Sequence, residues 1–257
     1  MQQTRFTEEG ACIRWTGTPG TGPALVHVHG LGAASSVYFA HIAAHPALAG
    51  RRSLLVDLPG HGISDRPVAF GYTLEEHADA LAAALDAAGT GPAEVVGHSM
   101  GGAVAIVLAA RRPDLVAGLV LAEANLDARP PVTAGSSGIA AFSEEEFVNG
   151  GGFARVLERV GPMWAATMRL ADPVALHRSA SSLVRGSDPV MRDLLLSAPV
   201  PRTFLQGELS GDVAGRAALE AAGVSVVTVP GAGHNIMFDN PYALVDAMAR
   251  NRSSVSA

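Results

Sequence analysis

Short runs of apolar and β-branched residues alternate along the chain with longer stretches in which apolar residues recur at helical spacing. A short apolar run predicts a strand buried on both faces, whereas apolar positions three and four apart predict an amphipathic helix. The predicted strands cover 24–29, 53–57, 93–97, 117–122, 202–206 and 224–229, and the predicted helices cover 36–49, 74–88, 100–111, 212–222 and 240–250. Residues 5–16 add a short hairpin at the start. This alternation indicates an α/β fold with a mostly parallel, doubly wound sheet.

The helix predicted after Thr73 has sequence signals at both ends. Glu76 stands three residues after Thr73, which is the spacing of a capping box. Gly89 follows the last apolar turn, and glycine readily takes the left-handed conformation that ends a helix. We therefore expect this helix to begin after Thr73 and to end before Gly89.

The alternation stops after Glu123 and resumes at Arg202. No strand pattern occurs over about seventy residues between them, and a loop of that length without structure is unusual in a compact domain. Helical patterns recur in this segment, at 143–149, 153–169, 173–185 and 188–196. We therefore predict an α/β core of residues 1–124 and 199–257, with residues 125–198 inserted after the sixth strand as a small helical cap.

The composition limits the classes of partner. The 257 residues are 48% hydrophobic and 16% charged, which is typical of a globular chain that buries a substantial core. A net charge of −6 without a basic cluster argues against a nucleic-acid partner. No apolar run is long enough to span a bilayer, and the first residues lack the apolar core of a secretory signal, so we expect a cytoplasmic location and no membrane contact. The expected partner is a small-molecule substrate, and monomer and homodimer both stay open.

Two residue types are informative because they are scarce. Cys12 is the single cysteine, which rules out an intrachain disulfide and disfavours a thiol-dependent site. All 18 basic residues are arginine, so the chain contains no lysine. A Walker phosphate-binding loop, a Schiff-base enzyme and a Ser–Lys dyad each require a lysine amine and are therefore excluded.

The candidate nucleophile lies where a β-branched run meets an apolar, alanine-rich helix. Ser99 stands there between Gly97 and Gly101, in the Gly-x-Ser-x-Gly pattern of a nucleophile elbow. The turn is so tight that its neighbours must lack side chains, and it pushes the serine hydroxyl out at the carboxyl edge of the sheet. The helix that begins there directs backbone N–H groups at the same point. A glycine-rich turn without a catalytic role is the alternative, and the flanking strand and helix favour the nucleophile.

A serine hydroxyl is a weak nucleophile and needs a neighbouring base. His234 is the best candidate, because it lies in the small-residue loop 230–234 between the last predicted strand and the last helix. Such a loop lets an imidazole approach the serine at the carboxyl edge of the sheet. The order serine, acid, histidine along the chain is also the order expected of this arrangement. A solvated loop histidine is the alternative.

The other histidines have structural explanations. His27 and His29 alternate on one strand face, but no further ligands at a metal-binding spacing accompany them, so packing and turn roles are favoured. His61 lies in a turn. His98 is next to Ser99, but the strand geometry directs its side chain away from the hydroxyl.

Four short motifs occur in the order expected of one family. They are His29-Gly30-Leu31-Gly32, Asp57 to Ser64, Gly97 to Gly102 and Gly231 to His234. On these motifs the chain resembles the α/β-hydrolase superfamily over essentially its whole length. The resemblance implies that the backbone N–H groups of Leu31 and Met100 form an oxyanion hole.

The acid is the point at which the sequence departs from the common pattern of this superfamily. Most relatives place an aspartate three residues after the glycine that ends the seventh strand, and Ser210 occupies that position here. Asp212 lies two residues further on, but it is also a natural N-cap for the next helix. Glu123 ends the sixth strand, a position from which some members supply the acid. We favour Glu123, keep Asp212 as the alternative acid, and leave Glu208 or no acid as the remaining cases.

The expected reaction is acyl transfer to water through an acyl-enzyme. His234 would take the proton of Ser99 and return it to the leaving group, and no cofactor or metal would be required. A serine at the elbow argues against haloalkane dehalogenase and epoxide hydrolase chemistry, because both need a carboxylate nucleophile.

The substrate is expected to contact the inserted segment. Its large apolar side chains include Phe142, Phe147, Phe153, Met163, Trp164 and Met168, and those that face the sheet edge would roof the pocket. The alternative for most of them is the insertion's own small core. The predicted substrate-binding residues are Leu31, His98, Phe142, Met163, Trp164 and Met168. This lining favours a small-to-medium apolar ester.

Other functions are compatible with the same residues. A lactonase, a thioesterase, a C–C bond hydrolase and a cofactor-free lyase or acyltransferase would all use the serine, the histidine and an acid. A fold hosts many chemistries and does not decide among them. A non-catalytic protein that binds a small ligand in this pocket is the remote alternative.

Overall fold

The computed structural model describes residues 1–129 and 136–255. Its centre is an eight-stranded sheet in the order β1-β2-β4-β3-β5-β6-β7-β8. The strands are Gln2–Arg5 (β1), Cys12–Thr18 (β2), Thr21–Val28 (β3), Arg51–Asp57 (β4), Ala93–His98 (β5), Val116–Ala122 (β6), Arg202–Gly207 (β7) and Val224–Val229 (β8). β2 pairs antiparallel with both β1 and β4, whereas β3 to β8 are parallel. The mostly parallel sheet expected from the sequence is therefore confirmed.

Helices connect and cover these strands. They are Ser35–Ala43 (α1), Leu74–Ala88 (α2), Met100–Arg111 (α3), Glu144–Val148 (α4), Gly152–Arg159 (α5), Pro162–Met168 (α6), Pro173–Arg185 (α7), Met191–Ser197 (α8), Arg216–Ala221 (α9), Ile236–Asp239 (α10) and Pro241–Val255 (α11). Short 3-10 helices cover Pro46–Leu48, Pro113–Leu115, Ser136–Ala141 and Glu208–Ser210. None of the helices that the structure describes combines the length and the apolar character needed to cross a bilayer.

The sheet separates two hydrophobic cores. Successive side chains of a strand point to opposite faces, so Val95 belongs to one core and Val96 to the other. α2 and α3 cover the first face, and α1, α10 and α11 cover the second. Helices on both faces keep the parallel strands from water, and this explains why those strands read as nearly continuous apolar runs.

Three predicted helices differ from the observed ones for identifiable reasons. The helix predicted over 36–49 ends early, because Pro46 lacks the N–H that a continuing helix needs and starts a separate 3-10 turn. The pattern over 153–169 is two helices, because Pro162 starts α6 as its first residue. The helix predicted over 212–222 is shortened to α9, since the glycine before it has a left-handed conformation.

Within the described residues, the chain between β6 and β7 forms helices and no strand. α7 of this insertion and the residue before it are tied to the core by hydrogen bonds. The Asp172 N–H donates to Gly60 O at 2.9 Å, and the Leu74 N–H donates to Ser182 Oγ at 3.0 Å. The predicted domain limits at 124, 125, 198 and 199 stay a prediction, and residues 130–135 of the insertion lie outside the described part of the chain.

Candidate active site

Ser99 occupies the turn between β5 and α3. Its φ of 51° and ψ of −120° lie outside the regions that ordinary residues favour, so the backbone of the predicted elbow is strained. A Cβ on Gly97 would come within 2.6 Å of Gly101 O, and a Cβ on Gly101 would come within 2.4 Å of His29 O. Both distances are too short for a side chain, so the two glycines allow the close approach that this turn requires.

His234 lies beside a carboxylate at the carboxyl ends of the parallel strands. Its Nδ1 is 3.5 Å from Glu123 Oε2. The Glu123 side chain is 10% exposed and the His234 side chain is 53% exposed, so the imidazole links a nearly buried carboxylate to solvent. An acceptor at Nδ1 leaves Nε2 as the nitrogen that can receive a proton.

The other acid candidates have different partners. The Asp212 carboxylate is 62% exposed and accepts a hydrogen bond from Arg216 Nε at 2.6 Å, and this contact lowers the pKa of Asp212. Glu208 accepts a hydrogen bond from the Gly231 N–H at 2.8 Å. Ser210 lies at the end of a 3-10 turn and is exposed. Of the three candidates, Glu123 is the one whose carboxylate contacts the His234 ring.

Two residues that the sequence did not single out hold Glu123 in place. Gln206 Nε2 and the Gly207 N–H both donate to Glu123 Oε1, at 2.8 and 2.6 Å. Glu123 itself has a φ of 52°, so the chain turns sharply as it leaves β6. Both donors lie at the end of β7, the strand next to β6, which is the signal by which they could have been found.

The Ser99 hydroxyl has a partner that the sequence analysis missed. It donates to Asn125 Oδ1 at 3.4 Å. In the described part of the chain no hydrogen bond joins Ser99 to His234, although His98, the residue before Ser99, contacts the His234 ring at a centroid distance of 4.9 Å. Asn125 lies two residues beyond Glu123, at the same sheet edge, and its position after β6 was the available signal.

Leu31 and Met100 flank the elbow and are both buried. Neither backbone N–H donates a hydrogen bond to a residue that the structure describes. Two donors that bind an anion must be unpaired in this way before the anion arrives. The Leu31 carbonyl accepts a hydrogen bond from Trp164 Nε1 at 2.8 Å. Gly32 has a φ of 66°, and its Cα faces the same indole. α6 of the insertion is thereby fixed against the loop after β3.

His98 has a different environment from the one expected for a substrate-binding residue. Its side chain is 3% exposed, and Nε2 donates to the His234 carbonyl at 2.9 Å. The ring also stacks on Tyr38 at 5.9 Å. Burial lowers the pKa of His98 well below its usual value, with a smaller contribution from the neighbouring His234. His98 is therefore neutral and contacts the backbone of the loop that carries His234.

The remaining predicted pocket residues are dispersed. Trp164 and Met168 both approach Gly32, and Met168 is fully buried. Phe142 packs against Phe147 at 5.9 Å, inside the insertion. Met163 is 46% exposed. The structure thus brings Trp164 and Met168 to the loop of Leu31, whereas the contacts of Phe142 are those of the insertion's own core.

His29 and His61 lie below the site in a buried group. His29 Nδ1 donates to Gly30 O at 2.7 Å, and its Nε2 accepts from the Leu58 N–H at 3.0 Å. Burial lowers the pKa of His29 to about 4 and that of His61 to about 3. Both rings are therefore neutral at pH 7. The two hydrogen bonds of His29 connect the loops after β3 and β4 to each other.

The chain is similar to several known proteins. A family profile described as alpha/beta hydrolase fold matches residues 23–148. Lipase LipV of Mycobacterium tuberculosis is 60% identical over 65 residues, which are 25% of this chain and 24% of that protein. An esterase of the same organism is 29% identical, in an alignment that covers 92% of this chain and 84% of that protein. A solved structure of a thermophilic esterase from Thermogutta terrifontis superimposes with a TM-score of 0.77 at 23% identity and covers 100% of both chains, which shows a common fold.

Proposed function

We propose that the chain, which has the α/β-hydrolase fold, is a member of that superfamily and a serine hydrolase of carboxylic esters that works through an acyl-enzyme. Ser99 is the nucleophile, His234 the general base and acid, and Glu123 the acid that orients His234. The substrate is a small-to-medium, largely apolar ester. No cofactor is assigned a role in this reaction.

The observation that carries the proposal is the contact between Glu123 and His234 at the edge where the strained Ser99 turn lies. A carboxylate 3.5 Å from Nδ1 favours the tautomer with the proton on that nitrogen. It also stabilises the imidazolium that forms when Nε2 takes the serine proton. Two hydrogen bonds from the end of β7 keep the carboxylate in position for this role.

The reaction has two halves. Ser99 Oγ attacks the ester carbonyl while His234 Nε2 accepts its proton, and the oxyanion that forms is stabilised by the N–H groups of Leu31 and Met100. His234 then protonates the leaving alkoxide, and the acyl group stays on Ser99. Water enters, loses a proton to His234 and attacks the acyl-enzyme, which releases the carboxylic acid and restores the serine.

The hydrogen bond from Ser99 to Asn125 describes the free enzyme. Catalytic hydrogen bonds are often long or absent before the substrate is bound, and they tighten in the substrate complex. On the proposed mechanism, His234 Nε2 comes within hydrogen-bond distance of Ser99 Oγ in the substrate complex.

A fluorophosphonate probe tests the proposal directly, since it phosphonylates only a serine that an adjacent base activates. We expect intact-mass analysis to show one adduct on the wild type and none on Ser99→Ala. Hydrolysis of p-nitrophenyl esters of increasing chain length then measures the preferred size of the acyl group. A wild type that is neither labelled nor active on these esters would favour a non-catalytic binding protein.

A further inference from the structure

Asn125 contacts the candidate nucleophile but has no part in the reaction as proposed above. Its Oδ1 accepts the hydrogen bond of the Ser99 hydroxyl at 3.4 Å. Its Nδ2 donates to no group in the described residues, so both amide protons are available. Asn125 is half-buried, and its unused amide donors belong to the side chain that contacts the candidate nucleophile.

The segment around Asn125 is tightly fixed. A Cβ on Gly102 would lie 2.4 Å from Ala124 Cβ, so α3 packs directly against the residue before Asn125. On the other side, the Arg192 N–H donates to Leu126 O at 3.0 Å. Both neighbours of Asn125 are therefore held, and its side chain is presented to Ser99 from a rigid backbone, as precise recognition requires.

The geometry of the tetrahedral intermediate assigns a partner to each substituent. The carbon bonded to Ser99 Oγ carries an oxyanion, a leaving group and the acyl chain. On the proposed mechanism the oxyanion faces Leu31 and Met100, and the leaving group faces His234, which protonates it. The acyl chain is then the one substituent without an assigned partner. Asn125, whose side chain contacts Oγ, is the polar residue without an assigned role.

The polarity of this contact reverses during the reaction. Once the serine proton has moved to His234, Asn125 Oδ1 faces an oxygen that has no hydrogen to donate, and two acceptors repel each other. Rotation of the carboxamide about its χ2 bond presents Nδ2 instead, because the amide has an acceptor on one side and donors on the other. The amide then offers a second N–H to the first atoms of the acyl chain.

We propose that Asn125 is a catalytic-site residue that selects esters whose acyl chain carries an acceptor oxygen two bonds from the scissile carbonyl carbon. This inference rests on the proposed serine mechanism. An alkoxyacetyl or 2-hydroxyacyl ester has such an oxygen, whereas a simple alkanoyl ester leaves the donor unsatisfied. A site built to hydrogen-bond a substrate group discriminates strongly against the analogue that lacks it.

Two p-nitrophenyl esters of equal length isolate this contact. Methoxyacetate and butanoate differ only by an ether oxygen in place of a CH₂ group, and they release the same leaving group. The ratio of their kcat/KM values is measured for the wild type, Asn125→Leu and Asn125→Asp. The intrinsic reactivity of each ester cancels when the ratios of two proteins are compared.

We expect the preference for methoxyacetate to fall about tenfold in both variants, because leucine and an ionised aspartate cannot donate a hydrogen bond. Asn125→Asp has the same shape as the wild type and keeps the test decisive if the leucine variant does not fold. Equal ratios in all three proteins, with Ser99 still labelled by fluorophosphonate, would overturn this inference alone. An unlabelled wild type would overturn the serine mechanism, and this inference with it.

Discussion

At the residue scale, the contacts of Glu123 distinguish it from the other carboxylates of the site. One oxygen accepts two hydrogen bonds from the end of β7, and the other lies beside His234. Its side chain is nearly buried, whereas the His234 ring beside it is more than half exposed. Asp212, by contrast, is exposed and neutralised by Arg216. Of these two carboxylates, that of Glu123 contacts His234 and that of Asp212 contacts Arg216.

Glu123→Gln and Asp212→Asn are matched tests of this difference. Glutamine keeps an acceptor for the Gly207 N–H but cannot stabilise an imidazolium, so we expect kcat to fall by about 10³–10⁴. Asp212→Asn removes an exposed ion pair, and we expect kcat within about twofold of the wild type. Both are measured on p-nitrophenyl butanoate. A larger loss in Asp212→Asn than in Glu123→Gln would assign the acid to Asp212.

His98 affords a second prediction at this scale. Its Nε2 holds the His234 carbonyl, so His98→Leu removes a fixed point of the loop that carries the base. We expect kcat to fall about tenfold with little change in KM, because the base is displaced and the substrate contacts are not. His98→Gln places an amide N–H near the position of Nε2 and should recover part of kcat. Equal losses in both variants would indicate a packing role alone.

The sequence predicts some of these residues better than others. Ser99 and His234 follow from glycine-rich turns that local geometry requires, and such turns are visible in a short window. The roles of His98 and Asn125 depend on contacts between residues 136 and 26 positions apart, which no local pattern encodes. His98 was predicted to bind substrate, whereas in the structure its ring is buried and contacts the backbone of His234.

At the element scale, the start of α2 shows what local sequence can specify. Thr73 Oγ1 accepts the Glu76 N–H at 3.1 Å, and Glu76 Oε2 accepts the Thr73 N–H at 3.0 Å. The helix ends before Gly89, which has a φ of 59°. Both ends agree with the prediction, because capping uses residues within a few positions of each other.

Thr73→Ala should weaken this helix end by a measurable amount. The change leaves the backbone N–H of Glu76 without its side-chain acceptor, and we expect the free energy of unfolding to fall by about 1 kcal/mol. Thr73→Ser keeps the hydroxyl and serves as the matched control. Urea unfolding followed by circular dichroism measures both variants. An equal loss in the serine variant would mean that the methyl group of Thr73, rather than its cap, stabilises the protein.

The inserted helices show the limit of pattern analysis. Their existence was predicted from helical spacing, and described helices do occupy the chain between β6 and β7. Their docking was not predicted, because it depends on single polar contacts such as Trp164 Nε1 on Leu31 O. An apolar side chain looks alike in sequence whether it faces the substrate or its own helix bundle. Phe142 and Met168 were therefore grouped together, although the structure separates them.

At the scale of the whole molecule, the fold buries several neutral histidines. The pKa values of His27 and His61 are lowered to about 3 and that of His29 to about 4, in each case chiefly because burial disfavours the charged ring. Those of His77 and His98 are lowered well below the usual value for the same reason. In the unfolded chain these groups return to a pKa of about 6.5. Protonation therefore favours the unfolded chain as the pH falls from about 6.5 toward 4.

We expect the free energy of unfolding to be independent of these histidines above about pH 7 and to fall steeply below pH 6, by about 1.4 kcal/mol per pH unit for each group. Acid unfolding would then begin at a higher pH than the titration of carboxylates alone would give. Urea unfolding at a series of pH values between about 4.5 and 8 measures this dependence. The lower limit lies above the lowered pKa values of the buried histidines, so their rings stay neutral in the folded protein over this range. A stability that stays constant from pH 8 to about 5 would contradict it.

His27→Leu separates one of these groups from the rest. Neither ring nitrogen of His27 has a hydrogen-bond partner among the described residues, and the ring packs against Phe39 at 5.3 Å in the core beneath α1. Leucine has a similar volume and no polar atoms to desolvate, so we expect the free energy of unfolding at pH 7.5 to rise by about 1 kcal/mol. The slope of stability against pH below 6 should also decrease by the equivalent of one proton, because one group that charges only on unfolding has been removed. An unchanged slope would mean that His27 is already protonated in the native protein and would contradict this prediction. Burial and the positive charge of Arg51 both disfavour that protonated form.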